Sequence, residues 1–521
     1  MKQLFILSLA FLAITGCRKI ETDGEKEIFV VTKEVAPVGV VSNTVTLSGR
    51  ITKDTTLFAK DVNYLSGIVY VMKGVTLTIQ EGAKVMGKSS GADVAALVIT
   101  RGAKIIARGT ADKPIVFTSA AQNPASGDWG GVVLLGTAKV NTTLTWKGTA
   151  VTGLTSVEGG INDAEIGLGL AGSGDAAFPT GNDDDNSGVM QYVRIEYAGY
   201  AYQPDNELNS LTMAAVGRGT TISHIQVTYA KDDAFEWFGG TVNCKYLIAY
   251  KTQDDDFDTD NGYNGNVQFG IILRDSVIAD ISTSEAFESD NNSGGTAVSP
   301  QTTAVFSNIT AIGPRIDPVY GKGNSLYRAG AHIRRNTGIS IMNSIIAGWN
   351  RGIQFDASSG VPVDKNVEDS TIRIKNTTLA GNTVNIDYVR STGTSATYAD
   401  NASGITGLTT WFSTPAFGNT ILTSASGDRL KLIQPFNYTN PDFTPYANNS
   451  TPSTTPSTPS TDAFTSAWGT LGIWDHVNFT KNGAFTDSKL QNAYFEKVTF
   501  RGAVATSGTN QTWWKGWTSW R

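Results

Sequence analysis

Cysteine, positive charge and helical periodicity are all scarce in this chain, and each shortage excludes something. Only Cys17 and Cys244 occur among 521 residues, so no framework of disulfides can hold the fold. If Cys17 carries lipid, as its context below suggests, Cys244 is left alone and is expected to face inward on a strand as a small apolar residue. The 41 Lys and Arg are outnumbered by 47 Asp and Glu, giving a net charge of −6 and a pI near 5.3. Nucleic acid is excluded as a partner, because phosphate binding needs a basic surface. No long stretch repeats its apolar residues at period 3.6, which argues against a helical core.

What is present is repetition. Asp232-Asp233-Ala234-Phe235-Glu236 recurs as Asp254-Asp255-Asp256-Phe257-Asp258, each residue shifted by 22, and the tail of the phrase returns as Phe287-Glu288. A period near 20 residues marks a solenoid whose coils stack on one another. Leu77-Thr78-Ile79-Gln80-Glu81-Gly82-Ala83-Lys84-Val85 reappears, shifted by 20, as Leu97-Val98-Ile99-Thr100-Arg101-Gly102-Ala103-Lys104-Ile105. The alternation at period two is a strand signal, the Gly supplies a corner, and the shift predicts two adjacent coils. A third family places Asn308, Asn343 and Asn376 at equivalent points. Asn tolerates left-handed backbone and can bond the Asn of the next coil, so these predict a structural ladder at a bend.

Gly, Thr, Val, Ile and Asn are abundant, in keeping with strands and turns. A solenoid core grows along one axis, so one elongated all-β domain accommodates the length. The fold expected is a right-handed parallel β-helix with an N-terminal cap and an aromatic-rich C-terminal cap. Its divisions are a signal peptide over 1–16, a tether and N-terminal cap over 17–50, the β-helix over 51–440, a Ser/Thr/Pro-rich linker over 441–462, and a C-terminal cap segment over 463–521. That last segment carries Trp468, Trp474 and the run Trp513-Trp514-Lys515-Gly516-Trp517-Thr518-Ser519-Trp520. The rings are read either as packing in a cap or as platforms for sugar stacking.

Lys2 precedes an apolar run from Leu4 to Ile14, too short to span a bilayer but suited to a signal peptide. The run ends in Ile14-Thr15-Gly16-Cys17, which resembles a bacterial lipoprotein signal with lipid attached to Cys17; an ordinary secretory signal is the alternative. The acid-rich stretch Arg18 to Glu27 resembles the surface-export signal of lipoproteins in Bacteroidota. Several further phrases are Thr56-Leu57-Phe58-Ala59-Lys60, Gly127-Asp128-Trp129-Gly130-Gly131, Asn182-Asp183-Asp184-Asp185-Asn186, Gln191-Tyr192-Val193-Arg194-Ile195-Glu196-Tyr197-Ala198-Gly199 and Phe235-Glu236-Trp237-Phe238-Gly239-Gly240. Together they resemble a family of large parallel β-helix surface lipoproteins of Bacteroidota, over roughly residues 50 to 380 and the C-terminal tail. The resemblance implies the fold, a lipid anchor and an outer-membrane location facing outward. That family has no established activity, so it adds nothing to the chemistry.

Carboxylates stacked about 4.8 Å apart repel one another, so a column of them needs protons, a basic partner or a bound cation. Asp233, Glu236, Asp255, Asp258, Asp260, Glu288 and Asp290 form the expected metal-ligand set, with Ca²⁺ as the ion because hard oxygen donors suit it. Asp183, Asp184 and Asp185 are a second, weaker candidate. The alternative is a solvated acidic face neutralised by Lys231, Lys251, Arg274 or counterions.

Three functional classes follow. An enzyme on acidic polysaccharides would draw its base from Lys251, Tyr263, Arg274, His332, Arg334 or Arg335. A glycosidase would instead use Glu236 and Glu288, which two coils would separate by roughly the 6.5 to 9.5 Å of an inverting pair. However, the Gly-His-Gly of polygalacturonase-like hydrolases is absent, no pectate-lyase signature appears, and His224, His332 and His476 suit structural roles. A non-catalytic binder of extracellular polysaccharide and an accessory subunit beside an outer-membrane protein partner are the other two classes. Both rank ahead of the enzyme, since no complete catalytic set can be named.

Overall fold

The computed structural model describes residues 42–163, 165–203, 206–314, 324–389, 407–422, 432–434, 438–445 and 486–521. Residues 1–41 with Cys17, the Ser/Thr/Pro tract at 450–461, Trp468, Trp474 and His476 lie outside them. The described chain winds a 27-stranded, all-parallel sheet into a parallel β-helix, as the repeats predict. Helices are short, chiefly Val363–Glu368 and Gly407–Phe412, and no described helix is long and apolar enough to cross a membrane.

Each coil has three sides. Long strands such as Thr221–Thr228, Asn243–Tyr250, Asn266–Leu273 and Val305–Ile312 cover two of them, stacked in register. The third side is the column Ala96–Ile99, Gly131–Leu135, Leu211–Ala214, Phe235–Phe238, Phe257–Asp260, Phe287–Ser289, Tyr327–Arg334, Arg351–Asp356 and Val384–Val389. Phe235 pairs with Phe257 and Phe257 with Phe287, which is the 22-residue phrase realised as register. Their rings point inward and meet edge to face at 5.6 and 5.7 Å, a favourable geometry for aromatic pairs.

The 20-residue phrase has a different meaning from the one its shift predicts. Leu77 pairs with Ile105, 28 residues on, and Val85 pairs with Phe117, 32 residues on. Both copies are strand–corner–strand units, and they occupy two different corners of the winding, with the corner at 88–95 between them, rather than one corner of two coils. Gly82 and Gly102 have φ of +74° and +77°, so the same left-handed corner requires the same residue twice.

A second left-handed position divides the long strands where they pass from one side to the next. It is filled in order by Tyr192, His224, Tyr246, Phe269, Asn308, Asn343 and Asn376, with φ between +48° and +63°. The three Asn are the expected bend. Asn376 donates to Asn343 at 3.4 Å, whereas Asn308 turns outward and donates to the Phe500 carbonyl. Bulky residues are costly with positive φ, and here ring stacking offsets it: Tyr192 on His224 at 4.2 Å, His224 on Tyr246 at 4.4 Å, Tyr246 on Phe269 at 5.1 Å.

Two accessory segments cover outward faces. Residues 140–171, inserted after Gly131–Leu135, lay Val140, Val157, Ile161 and Ala171 over Val98, Val133, Leu135 and Ala214. Of the segment 463–521 expected to cap the C-terminal end, residues 486–521 are described, and they cover the flank of the coils. Trp513, Trp514 and Trp517 are buried there against Ile248, Tyr250, Ile271 and Leu273. The reason is legible in those strands, which are apolar on both faces and need covering on the outside too. Gln226 and Gln268 fix the cover by pairing in both directions with the backbone of Ser519 and Glu496, each at 2.8 Å. Cys244 is buried in the core, and burial pushes its thiol up to about 12.

Candidate cation-binding site

Alternation at period two turns Phe235, Phe257 and Phe287 inward, so Glu236, Asp258 and Glu288 all point outward in one column. The column runs in register from Thr212 through Glu236, Asp258, Glu288, His332 and Gln354 to Asp387. Beside it, the loops entering these strands carry a second acidic row. Asp233 Oδ1 accepts the Asp255 amide at 2.9 Å, and Asp255 Oδ1 accepts the Glu285 amide at 2.6 Å, so each carboxylate ties down the next coil.

The column divides into two electrostatic halves. In the later half Glu285, Glu288 and Asp290 have basic partners supplied one coil on. Arg334 reaches Glu288 at 2.5 Å and Asp290 at 3.0 Å, Arg335 reaches Asp290 at 2.9 Å, and Arg328 reaches Glu285 at 3.3 Å. His332 is fully buried between Glu285, Glu288 and Asp356 at 3.2–3.4 Å. Burial opposes its charge, but hydrogen bonds to those three carboxylates raise it to about 10, so it is protonated at neutral pH. Burial likewise opposes ionisation of Glu288, and Arg334, His332 and Arg335 overcome it and hold the carboxyl below its usual range.

The earlier half has no such partners. Asp233, Glu236 and Asp258 bring carboxylate oxygens within 4.8 Å of one another, and so do Asp232, Asp233 and Asp254. Among the described residues, none of these five acids lies within ion-pair distance of Lys, Arg or His, while the nearest guanidinium groups are already engaged. Burial first, then the like charges of neighbouring acids, raises Asp233, Glu236 and Asp258 well above the carboxylate range. Glu158 of the insertion, together with Glu207, adds to the crowding and, after burial, pushes Asp232 up to about 8. Asn209 donates to Glu236, but Asp258 Oδ1 is buried without a partner. So is the hydroxyl of Thr212, beside Glu236 in the register and 1% exposed.

An all-oxygen set converging from a rigid sheet, with lone pairs left unused, fits a hard divalent cation. Of the residues the sequence nominates as ligands, Asp233, Glu236 and Asp258 are brought together and Asp255 stands in the adjoining loop row. Asp260 binds the Asn261 amide at 2.6 Å, and Glu288 and Asp290 spend their oxygens on Arg334 and Arg335. The Asp183–Asp185 loop is also committed, to Lys139, Arg218, Thr137 and Ser187.

The nominated bases are scattered. Lys251 lies on the covered flank, over the rings of Tyr229, Tyr250 and Tyr438, and Tyr263 is buried on Trp237. Arg274 is fully buried, paired with Asp256 at 2.7 Å, and donates to the carbonyls of Thr252, Asp254 and Glu285. Neutralisation of the acids therefore falls to Arg328, His332, Arg334 and Arg335, with Arg274 serving Asp256 alone and Lys251 elsewhere. Sequence reasoning missed Arg328, Asp356, Thr212 and Glu158. The first three are findable only by carrying the register past Glu288 and back before Glu236; Glu158 arrives on an insertion with no repeat to place it.

No curated protein and no solved structure gives a significant match to the chain. Residues 49–418, the greater part of its length, match the family described as the pectate-lyase-like β-helix domain, and the chain belongs to that family.

Proposed function

We propose that this protein is a lipid-anchored outer-membrane β-helix, facing outward, that binds an acidic extracellular polysaccharide through Ca²⁺ without cleaving it. The observation that carries the reading is the cluster of Asp233, Glu236 and Asp258, which among the described residues has no basic partner. Three crowded carboxylates that lack a basic neighbour are stabilised by a cation, and Ca²⁺ bound there would supply open coordination positions for a sugar carboxylate. Lipid on Cys17 would hold the protein at the membrane, and an accessory place beside an outer-membrane transporter is compatible with the same site.

The family description favours a second reading, a Ca²⁺-dependent lyase. Elimination needs a base that is unprotonated before it acts. His332 is held protonated, Arg334 is committed to two carboxylates, and Lys251 lies on another flank, so binding ranks first. Calorimetric titration of metal-stripped protein should give saturable Ca²⁺ heat, and polygalacturonate or alginate should be retained by the protein only with Ca²⁺ present. Absence of saturable heat ends the reading; unsaturated product from either polymer replaces it with the lyase. Cys17→Ser should release the protein from the membrane fraction, and retention there would remove the anchor.

A further inference from the structure

We infer that the first coil of the β-helix is itself a membrane-resting surface, built to meet anionic lipid headgroups. The inference extends the membrane reading above but concerns the protein's own surface rather than the lipid on Cys17. Within residues 44–116 there are ten Lys and Arg against five Asp and Glu, in a chain whose overall charge is −6. Lys53, Lys60, Lys73, Lys84, Lys104 and Arg108 are exposed, and among the described residues none has a carboxylate within ion-pair distance.

Their placement is directional. The coil formed by Thr44–Ile51 and Thr55–Leu57 ends the described sheet and, among the described residues, pairs on one side, with Val62–Val71 and Thr76–Ile79. At its turn Phe58 and Val62 are 44% and 37% exposed, two of the few large apolar side chains in solvent, and Lys60 lies over the Phe58 ring. An aromatic ring flanked by lysines is the composition of a membrane interface. Coils repeat at about 4.8 Å and the screening length is about 8 to 10 Å, so cations on the first three coils all act on a surface touching the first. Cys17 stands 25 residues before Ser42, so the chain reaches this end within about 90 Å of its proposed anchor. Docking here would keep the acidic column, which begins several coils later, away from the negative lipid.

The test uses the chain from residue 17 with Cys17→Ser, so that no lipid contributes, and EDTA, so that no cation bridges the acids. Cosedimentation should occur with vesicles of equimolar phosphatidylcholine and phosphatidylglycerol and fall sharply with phosphatidylcholine alone or at high salt. Each lysine near an anionic surface is worth about fivefold in affinity, so Lys53→Glu with Lys60→Glu should lower binding at least about 25-fold. Phe58→Ser should lower it further, with the thermal midpoint unchanged in both variants. No binding to the mixed vesicles, equal binding to both compositions, or undiminished binding by the variants overturns the inference. A failed Ca²⁺ titration would not touch it.

Discussion

Arg274 closes a 2.7 Å ion pair with Asp256 at full burial of both side chains, directly beneath the acidic loops. The same guanidinium donates to the carbonyls of Thr252, Asp254 and Glu285, joining the loop rows of two coils. Removing one member of such a pair strands the other charge, so Arg274→Met should cost about 3 to 5 kcal/mol in urea denaturation. Arg274→Lys should not rescue it, because an ammonium cannot span three carbonyls and a carboxylate as the planar fork does. A loss below about 1 kcal/mol in both variants would show that the loops hold without the clamp.

Asp258 sits between Glu236 and Glu288 in the column, with one buried oxygen unsatisfied. Asp258→Asn removes one like charge and one anionic ligand at once. Without divalent cations the variant should melt at or above the wild-type temperature; with Ca²⁺ it should gain less, and its Ca²⁺ affinity should fall about tenfold or more. If NaCl at matched ionic strength stabilises wild type as well as Ca²⁺ does, the column is a solvated acidic face.

How much of this was readable beforehand depends on which interactions are local in the repeat. The 22-residue phrase carries both the coil and the facing of Glu236 and Asp258, since alternation and period fix them together. The 20-residue phrase misleads because corner chemistry recurs at every corner that needs a left-handed glycine, and sequence similarity there does not distinguish side from coil. The basic partners of Glu288 and Asp290 stand 44 to 46 residues away, after a coil lengthened by loops, so no fixed shift points to Arg334 or Arg335. The flank cover is invisible as a partnership, yet its need is written in Leu247-Ile248-Ala249-Tyr250 and Gly270-Ile271-Ile272-Leu273, which are apolar without alternation.

The raised carboxyls make the metal-free protein sensitive to pH with a definite sign. Asp260 is raised by burial, then by Asp290, to about 7, so the folded state holds a proton that the unfolded chain releases near 4. Stability from such a group is greatest in acid and falls as pH rises from about 4 to 7. His332, raised to about 10, acts in the same sense at higher pH: its contribution is full below about 6.5 and lost as pH climbs through 10. Thermal melts in EDTA should therefore show the midpoint falling steadily from pH 5 to pH 8. Saturating Ca²⁺ should flatten the decline, since it offsets the same repulsion. A midpoint that rises over this interval in EDTA would mean that the carboxylates are neutralised by some other means.

The Trp-rich tail offers the cleanest separation of packing from recognition. Trp517 is fully buried, and its indole nitrogen donates to the Trp513 carbonyl at 2.8 Å. It meets the edges of Tyr192 and His224, the rings whose positive φ the stack has to offset. Trp517→Ala should therefore cost about 3 to 5 kcal/mol, through lost burial and the cavity left between tail and coils. Ending the chain before residue 486 should do more, exposing Tyr246, Ile248, Tyr250, Phe269 and Ile271 as one apolar band that binds hydrophobic dye and drives association. If the rings instead stacked on sugar, Trp517→Ala would leave the melt unchanged and abolish glycan retention. Trp517→Ala gives opposite patterns under the two readings, and burial of Trp513, Trp514 and Trp517 commits the structure to the first.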